Sequence, residues 1–286
     1  MSKQPVTVIG LGNLGHVVAE TFLAQGHPTT VWNRSPAKAD ALVARGAVRA
    51  DTVAEAVAAG ELVVVVVLDQ DVARELLTPA ADALKGKALL NVTSGIPESV
   101  RELADWVTGH GAAYLAGAVY AVPQTVGTDE AFVLLSGSRE TYDSYLPQLR
   151  LLGDPVYVGE AAELASVYDV ALLSGMYGMF AGFFQAVALG GSAGIEAARI
   201  TGLLVRWLKE ATPILPAFAE EIDAGNYATE TSNLDINATG LAHILTATRQ
   251  QGVGTELLAP LQALFDQQIA AGHGGDSLSR TIESLR

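Results

Sequence analysis

Residues 6–15, VTVIGLGNLG, constrain this chain more than any other stretch. A short β-branched apolar run favours a strand, and three glycines follow it at once in the order G-x-G-x-x-G. A helical pattern, HVVAETFLA, then begins without a gap. In such a strand–turn–helix unit Gly10 allows the tight turn, Gly12 lets the backbone approach a pyrophosphate, and Gly15 lets the helix pack closely on the strand. The helix also presents its free N–H groups and the positive end of its dipole to an anion. The stretch therefore predicts the first βα unit of a dinucleotide-binding domain, with Gly10, Leu11, Gly12, Asn13 and Leu14 against the cofactor.

The pattern continues along the first half. TTVWN (29–33), ELVVVVVL (61–68), KALLNV (87–92), YLAGAVYA (114–121), AFVLLSG (131–137) and PVYVG (155–159) read as further strands, with helical stretches between the early ones. Such alternation predicts a largely parallel sheet covered on both faces. The valine run at 63–67 has no polar alternation, so its strand should be central. Thr52 with Glu55 reads as a capping box, and Pro36 and Pro97 suit first turns of helices.

Near residue 160 the strand signals stop. From Val170 to Ile195 no residue is charged, a length that could also span a bilayer. Acidic flanks (Asp169, Glu196) and six glycines argue instead for a buried helix. Gly178, Gly182, Ala186 and Gly190 recur every four residues, a spacing that admits a close partner helix, so this helix is expected to bury itself against a second subunit. The remainder reads as helices interrupted at Gly190-Gly191, Pro213, Pro216, Gly225-Asn226 and Gly252–Gly254. The domains predicted are 1–159 (nucleotide-binding), 160–192 (interdomain helix) and 193–286 (helical dimerisation and substrate domain).

Composition narrows the function. Seventeen Lys and Arg against thirty-one Asp and Glu give a formal charge of −14, unfavourable for nucleic acid or anionic membranes. With no cysteine, disulfides and thiolate chemistry are out, which suits a reducing cytoplasm; the N-terminus has no signal-peptide pattern. The five histidines are scattered, so no metal site is expected. No nucleophile-elbow motif supports a Ser/His/Asp hydrolase.

The end of the second strand selects the dinucleotide. An NAD site usually places an acid there, about twenty residues after the glycines. Here the chain reads WNRSPAK, with Asn33, Arg34, Ser35 and Lys38. A carboxylate would repel a 2′-phosphate, whereas guanidinium, hydroxyl and ammonium groups can bind one. NADPH is the expected cofactor.

With these features, NVTSGIP (91–97), GAVYAVPQTVG (117–127), SVYDVALL (166–173), SNLDIN (232–237) and AAGHGGDS (270–277) make the chain resemble the imine reductases, within the wider β-hydroxyacid dehydrogenase superfamily. The resemblance spans nearly the whole chain. It implies a Rossmann domain, a long interdomain helix and an all-α C-terminal domain exchanged in an intertwined homodimer, with the active site in the dimer cleft. It further implies NADPH-dependent reduction of C=N bonds in small-molecule imines, including cyclic ones, to amines. R-type selectivity and reductive amination are both compatible with it. In hydroxyacid dehydrogenases the interdomain helix carries a lysine near its start. The matching position here is Asp169, and no lysine occurs between Lys87 and Lys209. Their Ser-Gly-Gly carboxylate receptor is replaced by Tyr120, Ala121 and Val122, and the Asp of their Asp-x-Ser-Thr segment by Asn91.

The charge change has a physical reading of its own. Reducing C=O builds an oxyanion, which a cation stabilises. C=N is reduced most easily as the protonated iminium, which an anion can hold or help to form. Asp169 is thus the candidate catalytic acid or orienting group, and the resemblance joins Tyr177 and Asn91 to it. Tyr177 lies two turns further, about 80° around the helix and about 12 Å along it, so the two side chains can converge only across a ligand. The resemblance adds Leu68, Asn91 and Thr93 on the cofactor side. On the substrate side it adds Val119, Tyr120 and Met176, with Trp207, Ile236 and Asn237 from the second subunit. Two other functions remain open at this level: a hydroxyacid or semialdehyde dehydrogenase on the same scaffold, and a non-catalytic NADPH-binding sensor.

Overall fold

The computed structural model describes residues 3–286 apart from 122–125, 127 and 129. Eight strands form one sheet: β1 (Val6–Ile9), β2 (Thr29–Trp32), β3 (Val48–Arg49), β4 (Leu62–Val65), β5 (Ala88–Asn91), β6 (Ala113–Tyr120), β7 (Phe132–Gly137) and β8 (Asp154–Gly159). Their order is β3-β2-β1-β4-β5-β6-β7-β8. Pairing is parallel except between β6 and β7, where the chain doubles back. β4, the valine strand, is buried along its whole length, as a strand covered on both faces must be.

The helices of this half are α1 (Asn13–Ala24), α2 (Asp40–Val43), α3 (Val53–Ala59), α4 (Gln70–Leu77), α5 (Pro97–Gly109) and α6 (Arg139–Leu149). Two apolar clusters lie on the two faces of the sheet. One, with Val8, Phe22 and Leu90, gathers under α1; the other, with Val57, Val63 and Leu103, under α3 and α5. Local chemistry sets the helix starts. Thr52 accepts the Glu55 N–H at 3.1 Å, and the Glu55 carboxylate reaches back to the Asp51 N–H, one residue earlier than a standard capping box. Pro97 stands in the first turn of α5.

Helix α7 (Leu164–Ser192) follows, then α8 (Ala197–Ala211), α9 (Leu215–Ala224), α10 (Leu234–Gln250) and α11 (Ala259–Ala270). The chain forms two compact units that meet within α7, between Leu173 and Ser174. Gly190 and Gly191 mark the end of this helix, where the sequence places an interruption. They lie in its last turn, and the chain reverses at Gly194, whose φ of +75° suits glycine. Gly190 also serves packing: a Cβ there would lie 2.8 Å from the Ile200 side chain of α8. Around Gly178 and Gly182 the single chain leaves open space.

In the second unit a small core of Leu234, Leu241, Leu245 and Phe265 joins α10 to α11. Two of the sequence motifs meet there. Asn233 of SNLDIN bridges to Ser277 of AAGHGGDS, and its side chain caps α10 by accepting the Ile236 N–H. Neither α8 nor α9 buries a residue in the single chain, and Phe184, Leu203 and Trp207 are exposed.

One buried hydroxyl locks the start of α7 onto the sheet. Ser136 of β7 donates to the Ala162 carbonyl at 2.7 Å and accepts the Ala165 N–H at 2.9 Å. Ser136→Ala would leave that buried N–H without a partner, at a cost of about 2 kcal/mol. The urea midpoint of the variant should fall accordingly; an unchanged midpoint would show that the lock contributes nothing.

Candidate active site

The dinucleotide cradle is built as the glycines require. Gly10 has φ +96°, and a Cβ there would strike the Val66 carbonyl oxygen at 2.0 Å. A Cβ on Gly15 would strike the Gly10 carbonyl oxygen, also at 2.0 Å. Gly12 has open space where its side chain would be and stands at the exposed N-terminus of α1 without a side-chain cap. Those N–H groups are available to an anion.

Asn33 ties this turn to the next loop. Its Oδ1 accepts the Leu11 N–H at 2.9 Å, and its Nδ2 donates to the Ser35 carbonyl at 3.1 Å. Arg34, Ser35 and Lys38 are exposed beside it, so two cations and a hydroxyl border the place where a ribose 2′-substituent would lie. Leu68, also exposed, follows β4. These residues fit a phosphorylated dinucleotide.

A cleft opens at the carboxyl ends of the parallel strands, where ligands of such sheets bind. Leu14, Asn91, Thr93, Ser94, Val119 and Asp169 line it. Its floor is a polar network that sequence reasoning missed. Buried Asn91 donates from Nδ2 to Gln70 Oε1 at 2.6 Å and to the Tyr114 hydroxyl at 3.0 Å, and accepts the Thr93 N–H at 3.1 Å. Gln70 in turn donates to the Thr93 carbonyl at 2.6 Å, and the Thr93 hydroxyl accepts the Val67 N–H at 3.1 Å. Burial pushes the Tyr114 phenol well above its ordinary pKa, with the Asn91 bond opposing, so the phenol stays neutral. Asn91 and Thr93 thus hold the shape of the cofactor-side loop. The signal in the sequence was slight: Gln70, a polar residue just inside a helix capped by Asp69.

Asp169 stands on the cleft wall, one turn into α7. The Ser166 hydroxyl donates to the Gly95 carbonyl and so fastens the same turn to the loop after β5. The Asp169 carboxylate is half-buried, and its Oδ1 accepts the Tyr120 hydroxyl at 2.7 Å. Tyr120, expected only as a substrate contact, stacks on Phe132, its partner across the β6–β7 ladder, with ring centroids 4.5 Å apart and planes 3° from parallel. Ala121 follows, and Val122 lies outside the described residues.

The remaining expected substrate residues belong to the second unit. Tyr177 is 65% exposed and meets Phe180 edge-on. Met176 is half-buried, while Trp207 and Ile236 are exposed. Asn237 donates to the Ser232 hydroxyl and the Asn233 carbonyl, both at 2.8 Å.

A dinucleotide cradle with a basic rim, and beside it a cleft whose wall residue Asp169 takes a phenol hydrogen bond, fit an oxidoreductase of the NADP-dependent class. Comparisons with known proteins narrow it. Residues 5–159 match the model of the NAD binding domain of 6-phosphogluconate dehydrogenase, and 161–286 match that of the NADPH-dependent reductive aminase-like C-terminal domain. An NADPH-dependent reductive aminase of Aspergillus oryzae is 42% identical over all of this chain and 98% of its own. The reductive aminase of Aspergillus terreus, solved with NADPH and ethyl levulinate, superposes with a TM-score of 0.94 at 41% identity over the whole of both chains. A Streptomyces aurantiacus imine reductase superposes equally well at 32% identity, covering 99% of this chain and 100% of its own. The chain belongs to the family of NADPH-dependent imine reductases and reductive aminases.

Replacing Arg34 with Ala should raise KM for NADPH at least about tenfold and leave KM for NADH within about twofold, since one charge-assisted phosphate contact is lost. Steady-state kinetics with both cofactors reads this directly. An unchanged preference would place the 2′-phosphate elsewhere.

Proposed function

We propose that this enzyme uses NADPH to reduce C=N bonds of small imines, cyclic ones included, to amines, and that it also joins ketones with amines reductively. The observation that carries the reading is an acidic side chain, Asp169, on the wall of the cleft beside the cofactor cradle, in a chain with no lysine between Lys87 and Lys209. Bound NADPH supplies the hydride. The chain's own residues must then hold an electron-poor carbon before it and settle the charge on nitrogen.

Asp169 does the second. Its carboxylate attracts an iminium N–H and orients it. When it has first taken up a proton from solvent, the carboxylic acid can pass that proton to a neutral imine, directly or through water, and returns to the carboxylate that pairs with the iminium. The positive charge on nitrogen disappears as hydride arrives, so too tight an ion pair would favour the ground state over the transition state. Asp169 therefore acts before the hydride step, by forming and aligning the cation. Asn91, Thr93 and Gln70 hold the shape of the loop that would face a bound nicotinamide, and Val119 and Tyr120 shape the wall. Preference for the (R)-amine is part of the proposal and rests on resemblance through Asp169 alone.

We further propose a homodimer. Exposed apolar side chains on α7 and α8, among them Tyr177, Phe180, Phe184, Leu203, Val205 and Trp207, are more than a monomer keeps in water. The open space at Gly178 and Gly182 would admit a helix at close range. Trp207, Ile236 and Asn237 of a second copy would then close the cleft, with Tyr177 and Met176 as substrate contacts.

Asp169→Asn should lower kcat for 2-methyl-1-pyrroline at least about a hundredfold, while the Kd of NADPH changes less than about threefold. Equal loss of both would make Asp169 a structural residue. In sedimentation the wild-type chain should have the mass of two chains at micromolar concentration, and Phe184→Glu should weaken the association. A single-chain mass for the wild type would overturn the dimer.

A further inference from the structure

Tyr120 reaches Asp169 from the sheet, 49 residues away in sequence, and three features of the contact bear on its purpose. First, the tyrosine is held stiffly. It ends β6, pairs with Phe132 of β7, and lies flat on that ring, so its hydroxyl has little freedom to swing. Second, it engages one carboxylate oxygen only. Oδ1 takes the phenol, and Oδ2 carries no hydrogen bond among the described residues. Third, the direction of donation is fixed. Burial raises the phenol pKa first, and the hydrogen bond to Asp169 and its negative charge raise it further, so Tyr120 keeps its proton and Asp169 accepts.

We propose that Tyr120 is a positioning residue: its hydroxyl pins Oδ1 of Asp169 so that Oδ2 is held toward the iminium nitrogen in the cleft. An aspartate on a helix samples several rotamers, and a carboxylate that rotates freely presents its oxygen to the substrate only part of the time. A hydrogen bond from a stacked ring removes those alternatives before substrate arrives, and pre-organisation of this kind speeds a reaction whose geometry is demanding. The phenol makes no contact with the reacting atoms in this scheme. It acts through Asp169 alone, so the inference rests on the role given to Asp169 above.

That dependence supplies the test. Tyr120→Phe keeps the ring and its stack on Phe132 but removes the hydroxyl. With 2-methyl-1-pyrroline and NADPH, kcat should fall about tenfold, while KM for NADPH and the melting temperature stay close to wild type. In an Asp169→Asn background the same substitution should change kcat less than about twofold, because no carboxylate is left to position. A tenfold loss in both backgrounds would mean that Tyr120 acts on the substrate or the fold independently. No loss in the wild-type background would mean that Asp169 needs no holding. Either result overturns the inference but leaves the role of Asp169 intact. If Asp169→Asn alone keeps full kcat, the reading of Asp169 itself fails, and the inference with it.

Discussion

The start of α7 is where sheet and helix chemistry meet, and the active site depends on how it is fastened. A helix N-terminus carries N–H groups with no partner in the helix, and buried ones must find partners elsewhere. Ser136 accepts one of them, from Ala165, and donates back to Ala162. Ser166 fastens the same turn to Gly95, at the end of the loop that Asn91 and Gln70 hold from below. The helix is thus tied at once to the sheet and to the cofactor-side loop. Asp169, one turn on, inherits its position from those bonds, and Tyr120 completes it from β6.

On this frame we propose that the sign of a single charge sets the chemistry. A lysine at the place of Asp169 would suit a carbonyl oxygen that gains negative charge, and would repel an iminium. A carboxylate reverses both preferences. Tyr120, on the neighbouring strand, offers its phenol to that carboxylate. A carboxylate without a stiff partner would wander, and a tyrosine without the carboxylate would have no anion to hold.

Much of this could be read in the sequence because it is local. The glycine turn, the basic tract after β2, the cap at Thr52 and the first-turn proline at Pro97 each depend on residues within a few positions. What escaped was long-range or context-dependent. The amide of Asn91 reads as a free hydrogen-bonding group until Gln70 and Tyr114, each more than twenty residues away, take up both its protons. Tyr120 reads as a wall residue until α7 brings Asp169 to its hydroxyl. The two-residue strand β3, exposed and edge-paired, carries no hydrophobic pattern to betray it. The break at Gly190-Gly191 is legible, but the close approach of Ile200 to Gly190 shows only in the fold.

The central claim is that the cleft serves a cationic C=N substrate and no longer serves a hydroxyacid. Its most direct measurement sets two reactions side by side on the purified enzyme: oxidation of NADPH with 2-methyl-1-pyrroline, and reduction of NADP+ with 3-hydroxyisobutyrate. The expected result is turnover of the imine to 2-methylpyrrolidine and none of the hydroxyacid. Turnover of the hydroxyacid with no reaction of the imine would contradict it.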